Sequence, residues 1–397
     1  MMSMGMDKKL KLTTFLTGSL LFLILHLGCG GSIPHYSPVN RNQPEYSGQI
    51  NQEVIMGIQK ILDQSINEQK IPGLQLAIKF LDQSQWIGTS GTLTPKREIQ
   101  LTNDHVLRIG SITKLYAAVL ILKVVEQGKI SLSDTLANWF PEIPNSEKIT
   151  ITELLNHTSG LREIIESFSA KMKSIFPHKN WKPSEVLKII SKQKPYFEPG
   201  TNFHYSNSNY IILGCILEKV YEKSFGSLLE DEIITPLDLK STYLLPQAEI
   251  PQHLIPGFDR DLLPWPGLYQ HKPDNTTWAS LAFTSGAMAT TANELLKFIN
   301  ALFDGELVSD ELLKSMTNFV NVDKKGHPYW TGYGLGVTRF NINNHEYWGH
   351  EGLFIGFESI ALYSPSKKYS IALIGNISSY DKVEIIKQIQ EIILLEP

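Results

Sequence analysis

Two cysteines, Cys29 and Cys215, are all that a chain of 397 residues contains, too few for a disulfide framework. No close cluster of cysteine and histidine marks a zinc site, so a metal mechanism has no visible ligand set and no cofactor is expected. Charge is sparse in pattern as well: 36 Lys and Arg against 40 Asp and Glu give a net charge of −4, without a basic block or basic and aromatic residues interleaved. Nucleic acid is therefore not an expected partner. No internal repeat is apparent, and the apolar run from Phe15 to Leu27 is too short for a comfortable membrane span. What is present is 42 % hydrophobic content, in a chain long enough to bury one large core or two modest ones.

That short apolar run has the form of an address. Lys8, Lys9 and Lys11 precede it, as in the basic and apolar regions of a secretory signal. Leu25-His-Leu-Gly28-Cys29 then resembles a bacterial lipobox, although His26 stands where leucine is usual. Residues 1–28 are read as a signal peptide and Cys29 as the lipidated N-terminus of an exported, membrane-attached cell-envelope lipoprotein; a cleaved soluble form and an uncleaved anchor are the alternatives. Cys215, beside Leu213, Ile216 and Leu217, would then be an unpaired core thiol. Residues 29–48, rich in proline, asparagine, serine and tyrosine without periodicity, read as a tether.

The fold is expected over residues 49–397. Ile50, Val54, Ile58, Ile61 and Leu62 share one helical face, and Pro72-Gly73 ends that helix. Leu74, Leu76, Ile78 and Phe80 alternate with Gln75 and Lys79 as a half-buried strand, which Trp86 to Thr92 can pair back upon. From Ser111 to about Thr242 the patterns are helical or turn-like, with helices expected after Pro183 and from Tyr210 to Val220. Pro256 to Trp278, loaded with proline and aromatics, reads either as a lid or wall facing a substrate or as a surface excursion. Thr291 to Glu294 reads as a capping box for a helix through Leu302. Strand-like runs follow at Gly334 to Phe340, Phe354 to Tyr363 and Tyr369 to Gly375, before a closing helix near Val383 to Leu394. Strands at both ends with helices between imply an α/β fold of the α+β type: an antiparallel sheet flanked by helices, its body from 49–110 and 280–397, with an all-helical insertion at 111–279.

Chemistry enters at Ser111 and Lys114, three residues apart at the mouth of an apolar helix-patterned run through Leu115, Val119, Leu122 and Val125, with Gly128 as its stop. At that spacing a lysine amine reaches a serine hydroxyl. Held partly neutral by burial, the amine can take the hydroxyl proton. A serine there also offers its backbone N–H to a developing oxyanion. The pattern S-x-x-K alone is weak, because Ser191, Ser364 and Ser379 begin it too, but none of these opens a long apolar helix. Two further motifs strengthen it. The turn-rich run Phe197 to Asn207 presents the Tyr205 phenol and the Asn207 amide two residues apart, and Trp348-Gly-His350-Glu351-Gly352-Leu353 opens a glycine-punctuated run.

The order S-x-x-K, Y-x-N, H-x-G resembles the serine β-lactamase and penicillin-binding superfamily, and most closely its branch of class C β-lactamases, D-alanyl-D-alanine carboxypeptidases and esterases. Leu154-Leu-Asn-His157-Thr-Ser-Gly-Leu161, Glu198-Pro-Gly200 and Ser285-Gly286 through Glu294 are similar to further segments of that branch, so the resemblance covers roughly residues 50 to 380. It implies a β-lactamase/transpeptidase-like fold whose active site lies between sheet and insertion. It also implies Ser111 as the acylated nucleophile, Lys114 and Tyr205 sharing the proton traffic with the true base left open, and Asn207 orienting Lys114 or the substrate. His350 would supply a positive or hydrogen-bonding group that becomes pH-sensitive. The backbone N–H groups of Ser111 and Leu353 would form the oxyanion hole.

Each residue has a plainer reading: Tyr205 as a buried aromatic, Asn207 as an Asx turn, His350 as a structural strand histidine. His157 is read as a loop histidine that helps hold the Thr-Ser-Gly turn. Glu351 and Gly352 occupy the substrate-binding positions that follow His350, and Glu351 stands where related K-T-G or H-T-G segments carry threonine. A carboxylate there would repel a substrate carboxylate and weaken turnover of penicillins and D-alanyl-D-alanine peptides, unless strand alternation turns it from the cleft. The expected function is an envelope-tethered serine hydrolase acting through an acyl-serine on small-molecule or short-peptide esters or amides, D-amino-acid peptides among them. The alternatives are an authentic β-lactamase or D-alanyl-D-alanine carboxypeptidase, and a non-catalytic envelope binding or scaffold protein.

Overall fold

The computed structural model describes residues 44–95, 99–167, 170, 180–260, 268–271, 276–322 and 327–395. The signal peptide, Cys29 and most of the tether lie outside the described residues. The strands are β1 (Glu45–Ser47), β2 (Gly73–Lys79), β3 (Gln85–Gly91), β4 (Leu107–Arg108), β5 (Tyr243–Leu244), β6 (Gly257–Arg260), β7 (Leu268–His271), β8 (Met288–Thr290), β9 (Trp330–Tyr333), β10 (Thr338–Ile342), β11 (His345–Phe354), β12 (Phe357–Tyr363) and β13 (Ser370–Gly375). Eight of them form one antiparallel sheet in the order β1-β3-β2-β13-β12-β11-β10-β9. The five helices that frame the site are α1 (Gln52–Glu68), α2 (Thr113–Glu126), α3 (Asn207–Tyr221), α4 (Ala292–Phe303) and α5 (Lys382–Leu395). Helices α1 and α5 pack together over one face of the sheet, and α4 covers β2, β12 and β13 on the other.

Cover on both faces corrects the reading of β2 as half-buried. Gln75, which looks in sequence like a solvent-facing position, is buried. Its amide ties the sheet to its neighbours, with Nε2 donating to the carbonyls of Thr102 (2.8 Å) and His105 (2.7 Å) and Oε1 accepting from the Ala292 N–H at the start of α4 (3.0 Å). A buried amide with these partners carries no desolvation penalty, so a polar residue fits a two-sided interior. Thr291 caps α4 by accepting from the Glu294 N–H, but the Glu294 carboxylate completes no capping box; it accepts from the N–H groups of Lys240 and Ser241 and the Thr242 hydroxyl.

Two boundaries differ from expectation. The tether ends before 48, because Glu45–Ser47 pairs with β3. Among the described residues, the stretch 111–279 holds helices and turns up to residue 242 but strands beyond it: β5 joins β4 and β8 in a small sheet, and β6 pairs with β7. That small sheet fastens the far end of the insertion to the segment just before Ser111. Much of Pro256 to Trp278, and with it the choice between lid and surface excursion, falls outside the described residues. β9 is an addition, and β11 extends the strand expected around His350 back to His345. Gly349 and Gly352 break the apolar alternation of β11, yet both are required there: a Cβ on Gly349 would lie 1.9 Å from the Ala361 carbonyl oxygen, and one on Gly352 1.9 Å from that of Ile109.

Glu351, Glu358 and Lys382 lock α5 onto the sheet. The Lys382 ammonium lies 2.9 Å from each carboxylate, with all three side chains largely buried. Removing the cation leaves two carboxylates uncompensated in a poorly solvated place, which costs about 3–5 kcal/mol. Lys382→Met should lower unfolding free energy by that order in urea titrations, and Lys382→Arg should recover most of it.

Candidate active site

Ser111 lies in a tight 3-10 turn, Gly110–Ile112, that runs into α2. Gly110 adopts φ +51°, and a Cβ on it would lie 2.8 Å from the Leu353 nitrogen, so only glycine lets the turn rest on β11. Thr113 clamps the turn from behind: its hydroxyl donates to the Gly110 carbonyl (2.7 Å) and accepts from the Met288 N–H of β8 (3.1 Å). The oxyanion donors implied by the resemblance, the N–H groups of Ser111 and Leu353, thereby belong to segments in direct contact.

In a 3-10 turn, side chains at i and i+3 eclipse, which brings Lys114 over Ser111. Nζ lies 3.1 Å from Ser111 Oγ, 2.8 Å from Asn207 Oδ1 and 2.7 Å from the Ser285 carbonyl oxygen. An ammonium donates to all three. A neutral amine donates to Asn207 and Ser285 and turns its lone pair to the Ser111 hydroxyl, so the same geometry serves both protonation states. α2 is not a surface helix with one apolar stripe, since every residue from Thr113 to Leu122 is buried. Burial lowers the Lys114 pKa to about 7, against an opposing pull from the Glu163 carboxylate.

Tyr205 packs over this amine, its ring centroid 4.8 Å from Nζ. Burial holds its phenol well above the ordinary tyrosine value, with the Ser111 hydroxyl as the chief opposing influence. A resting phenolate is therefore disfavoured. His157 does more than hold its own turn. It is fully buried, its Nδ1 accepts from the Ser206 N–H (3.1 Å) and pairs with the Asn209 amide (3.1 Å), and its ring centre lies 4.4 Å from that of Tyr205. The Thr-Ser-Gly and Tyr-Ser-Asn motifs are thus two sides of one lock.

His350 is buried, and desolvation aided by the Lys114 charge lowers its pKa to about 3. Nδ1 must donate to the Glu351 carbonyl (2.5 Å), so Nε2 accepts from the Tyr333 hydroxyl (2.9 Å). The expected pH-sensitive cation is therefore absent: His350 is a neutral ring whose two nitrogens are engaged. Glu351 alternates to the other face of β11. Its carboxylate accepts from the Trp330 indole N–H (2.9 Å) and pairs with Lys382. Burial works to raise its pKa, but His327 and Lys382 prevail and hold it at about 2. It presents no free charge to a substrate, and the expected repulsion loses its basis. Gly352 packs against the nucleophile turn, and the Leu353 side chain is 63 % exposed at the lip of the groove.

Sequence reasoning missed Glu163, the Ser285 carbonyl as a Lys114 partner, and the aromatic wall of Trp330 and Tyr333 beside Tyr205 and His350. Ser285 was part of a quoted motif, but a backbone acceptor has no signature in residue type.

This arrangement agrees with the comparisons to known proteins: the family model described as Beta-lactamase matches residues 58–391. The chain belongs to that family. It is 25 % identical over 336 residues to Protein flp of Staphylococcus aureus (strain MW2), covering 81 % of this chain and 63 % of that protein, so it spans less than two thirds of such curated relatives. Among solved structures it is similar to the D-amino acid amidase of Ochrobactrum anthropi SV3 complexed with L-phenylalanine amide, with TM-score 0.79, 26 % identity, and 87 % of this chain and 99 % of that one covered. It is also similar to a D-stereospecific amidohydrolase from Streptomyces sp., with TM-score 0.73, 27 % identity, and 84 % and 97 % covered.

The pH dependence separates Lys114 from His350. A base that must be neutral gains activity as pH rises through its folded-state pKa, so kcat/KM for a small ester should rise to a plateau with its midpoint near pH 7. His350→Gln should leave that midpoint in place, and Lys114→Arg should remove the limb together with the activity. A midpoint that moves with His350 would contradict these assignments.

Proposed function

We propose that the chain hydrolyses amides and esters without a carboxylate beside the scissile bond, D-aminoacyl amides foremost, through an acyl-Ser111 intermediate. The observation that carries this reading is the desolvated Lys114 amine, with its lone-pair direction on Ser111 and its two N–H directions on fixed acceptors. Neutral Lys114 takes the Ser111 proton as Oγ attacks the carbonyl carbon. The carbonyl oxygen takes negative charge between the backbone N–H groups of Ser111 and Leu353. The C–N or C–O bond then breaks, and the leaving group takes a proton from the Lys114 ammonium, relayed by the Tyr205 phenol. Water repeats the sequence on the ester and frees the acid.

The substrate preference follows from charge. Lys114 has its donors engaged and His350 is neutral with both nitrogens occupied, so neither offers a counter-charge to the carboxylate of a penicillin or a terminal D-alanine. A missing charge-assisted hydrogen bond is worth about 1.5–3 kcal/mol, or tenfold and more in kcat/KM. The amidase structures support the same class. Attachment to the envelope through a lipidated Cys29 belongs to this proposal, supported by the lysine-led apolar run before it.

A fluorophosphonate should label the wild type and not Ser111→Ala, as read by intact mass. D-aminoacyl amides or small esters should exceed penicillin in kcat/KM by about tenfold or more. Penicillin as the best substrate would overturn the preference, and unchanged labelling of Ser111→Ala would overturn the nucleophile. Cys29→Ser should release the protein from membranes or leave it unprocessed.

A further inference from the structure

Glu163 is a partly buried carboxylate beside Asn207 with no part in the steps above. It lies just beyond the Thr-Ser-Gly turn. Oε1 accepts from the Ile165 N–H (2.9 Å), closing its own loop, and Oε2 accepts from the Asn207 N–H (2.5 Å) 44 residues later. That second bond caps α3 in place of Ser206, which stands at the N-cap position without making a side-chain cap. A carboxylate at a helix N-terminus is a favourable pairing, and this one holds the main chain of the residue whose Oδ1 accepts from Lys114 (2.8 Å). There the chemistry leaves one choice. A lysine nitrogen donates to this partner in either protonation state, so Asn207 must turn Oδ1 to Lys114. The flipped amide would set N–H against N–H at the lysine and pull its lone pair away from Ser111.

We propose that Glu163 is a positioning residue for the acylation of Ser111: by fixing the main chain of Asn207, whose Oδ1 accepts from Lys114, it aims the Lys114 amine at the serine. This rests on the acyl-Ser111 reading and adds to it a residue that touches no substrate. A second consequence follows from charge. The titratable groups around Lys114 are His157 beside the Thr-Ser-Gly turn, Tyr205 and Tyr210 at the start of α3, His350 on β11, and Glu163. Burial keeps the two tyrosines and two histidines neutral; it also raises the Glu163 carboxyl, but the Ile165 and Asn207 N–H groups and the Lys114 charge favour its ionised form, which makes it the anion that acts on the amine. An anion favours the protonated lysine, and its removal makes the amine easier to deprotonate.

The experiment compares wild type, Glu163→Gln, Asn207→Ala and the double variant, with every rate normalised to sites titrated by fluorophosphonate so that unfolded protein does not count. Glu163→Gln should move the acid limb of kcat/KM to lower pH by about one unit and lower plateau kcat by about tenfold or more, with KM little changed. The double variant should lose no more than Asn207→Ala alone, because the two residues act in series. An acid limb that stays in place in Glu163→Gln, or losses that multiply in the double variant, would overturn the inference. Wild type without a label at Ser111 would instead sink the acyl-serine reading itself, so the two failures are distinguishable.

Discussion

A lysine amine without water around it is the constraint on which the rest of the structure depends. Burial holds Lys114 at a pKa of about 7, far below that of an ordinary lysine, and this depression works against the folded state whenever the amine is protonated. The cost to the folded state is fully present below about pH 7, where the amine is charged, and fades as pH rises toward the unfolded value. A marginally stable protein retains such a group only if the surrounding structure over-determines it. The surroundings do so: α2 is apolar on every side, Ser285 and Asn207 supply fixed acceptors, and Tyr205 covers the amine with a ring. The depressed basicity is also what makes the amine useful, because at neutral pH an ordinary lysine has no lone pair to offer.

The second requirement is that segments distant in sequence meet within van der Waals contact. β11 reaches the nucleophile turn only because Gly110 and Gly352 lack side chains where the two backbones touch. The Tyr205 segment is held to the Thr-Ser-Gly segment by the buried His157 ring and by the Ser159 hydroxyl, which donates to Asn209 (2.7 Å). Helix, loop and sheet each bring one part of the chemistry. The bonds that align them lie between backbone groups and small polar side chains rather than among the catalytic groups themselves.

Residue type and order made the convergence of Ser111, Lys114 and Tyr205 and the antiparallel sheet legible in the sequence. Such signals are local: an S-x-x-K before an apolar helix, a Y-x-N after a turn, apolar runs at both ends. What was illegible depends on neighbours that the chain does not name. Gln75 looks like a solvent position until two helical layers cover β2, and the glycines of β11 show their purpose only where another backbone comes close. The charge of His350 could not be read at all, because the imidazole that would be a switch in water is a neutral spacer once Lys114 and Tyr333 surround it.

Glu351 shows how narrow the margin can be. Its place in the H-x-G motif suggests a charge in the groove, and a shift of one residue in strand register would put it there. Alternation instead gives the groove to His350 and turns the carboxylate toward Lys382 and the Trp330 indole. The same residue then acts on the site from behind, since Trp330 forms part of the wall beside Tyr205 and the Glu351 carbonyl fixes the His350 tautomer. A neutral histidine, an engaged lysine and a carboxylate facing away are what support the proposed preference for uncharged acyl groups. Specificity of this kind arises from which charges the fold has already paired, and residue types alone cannot reveal it.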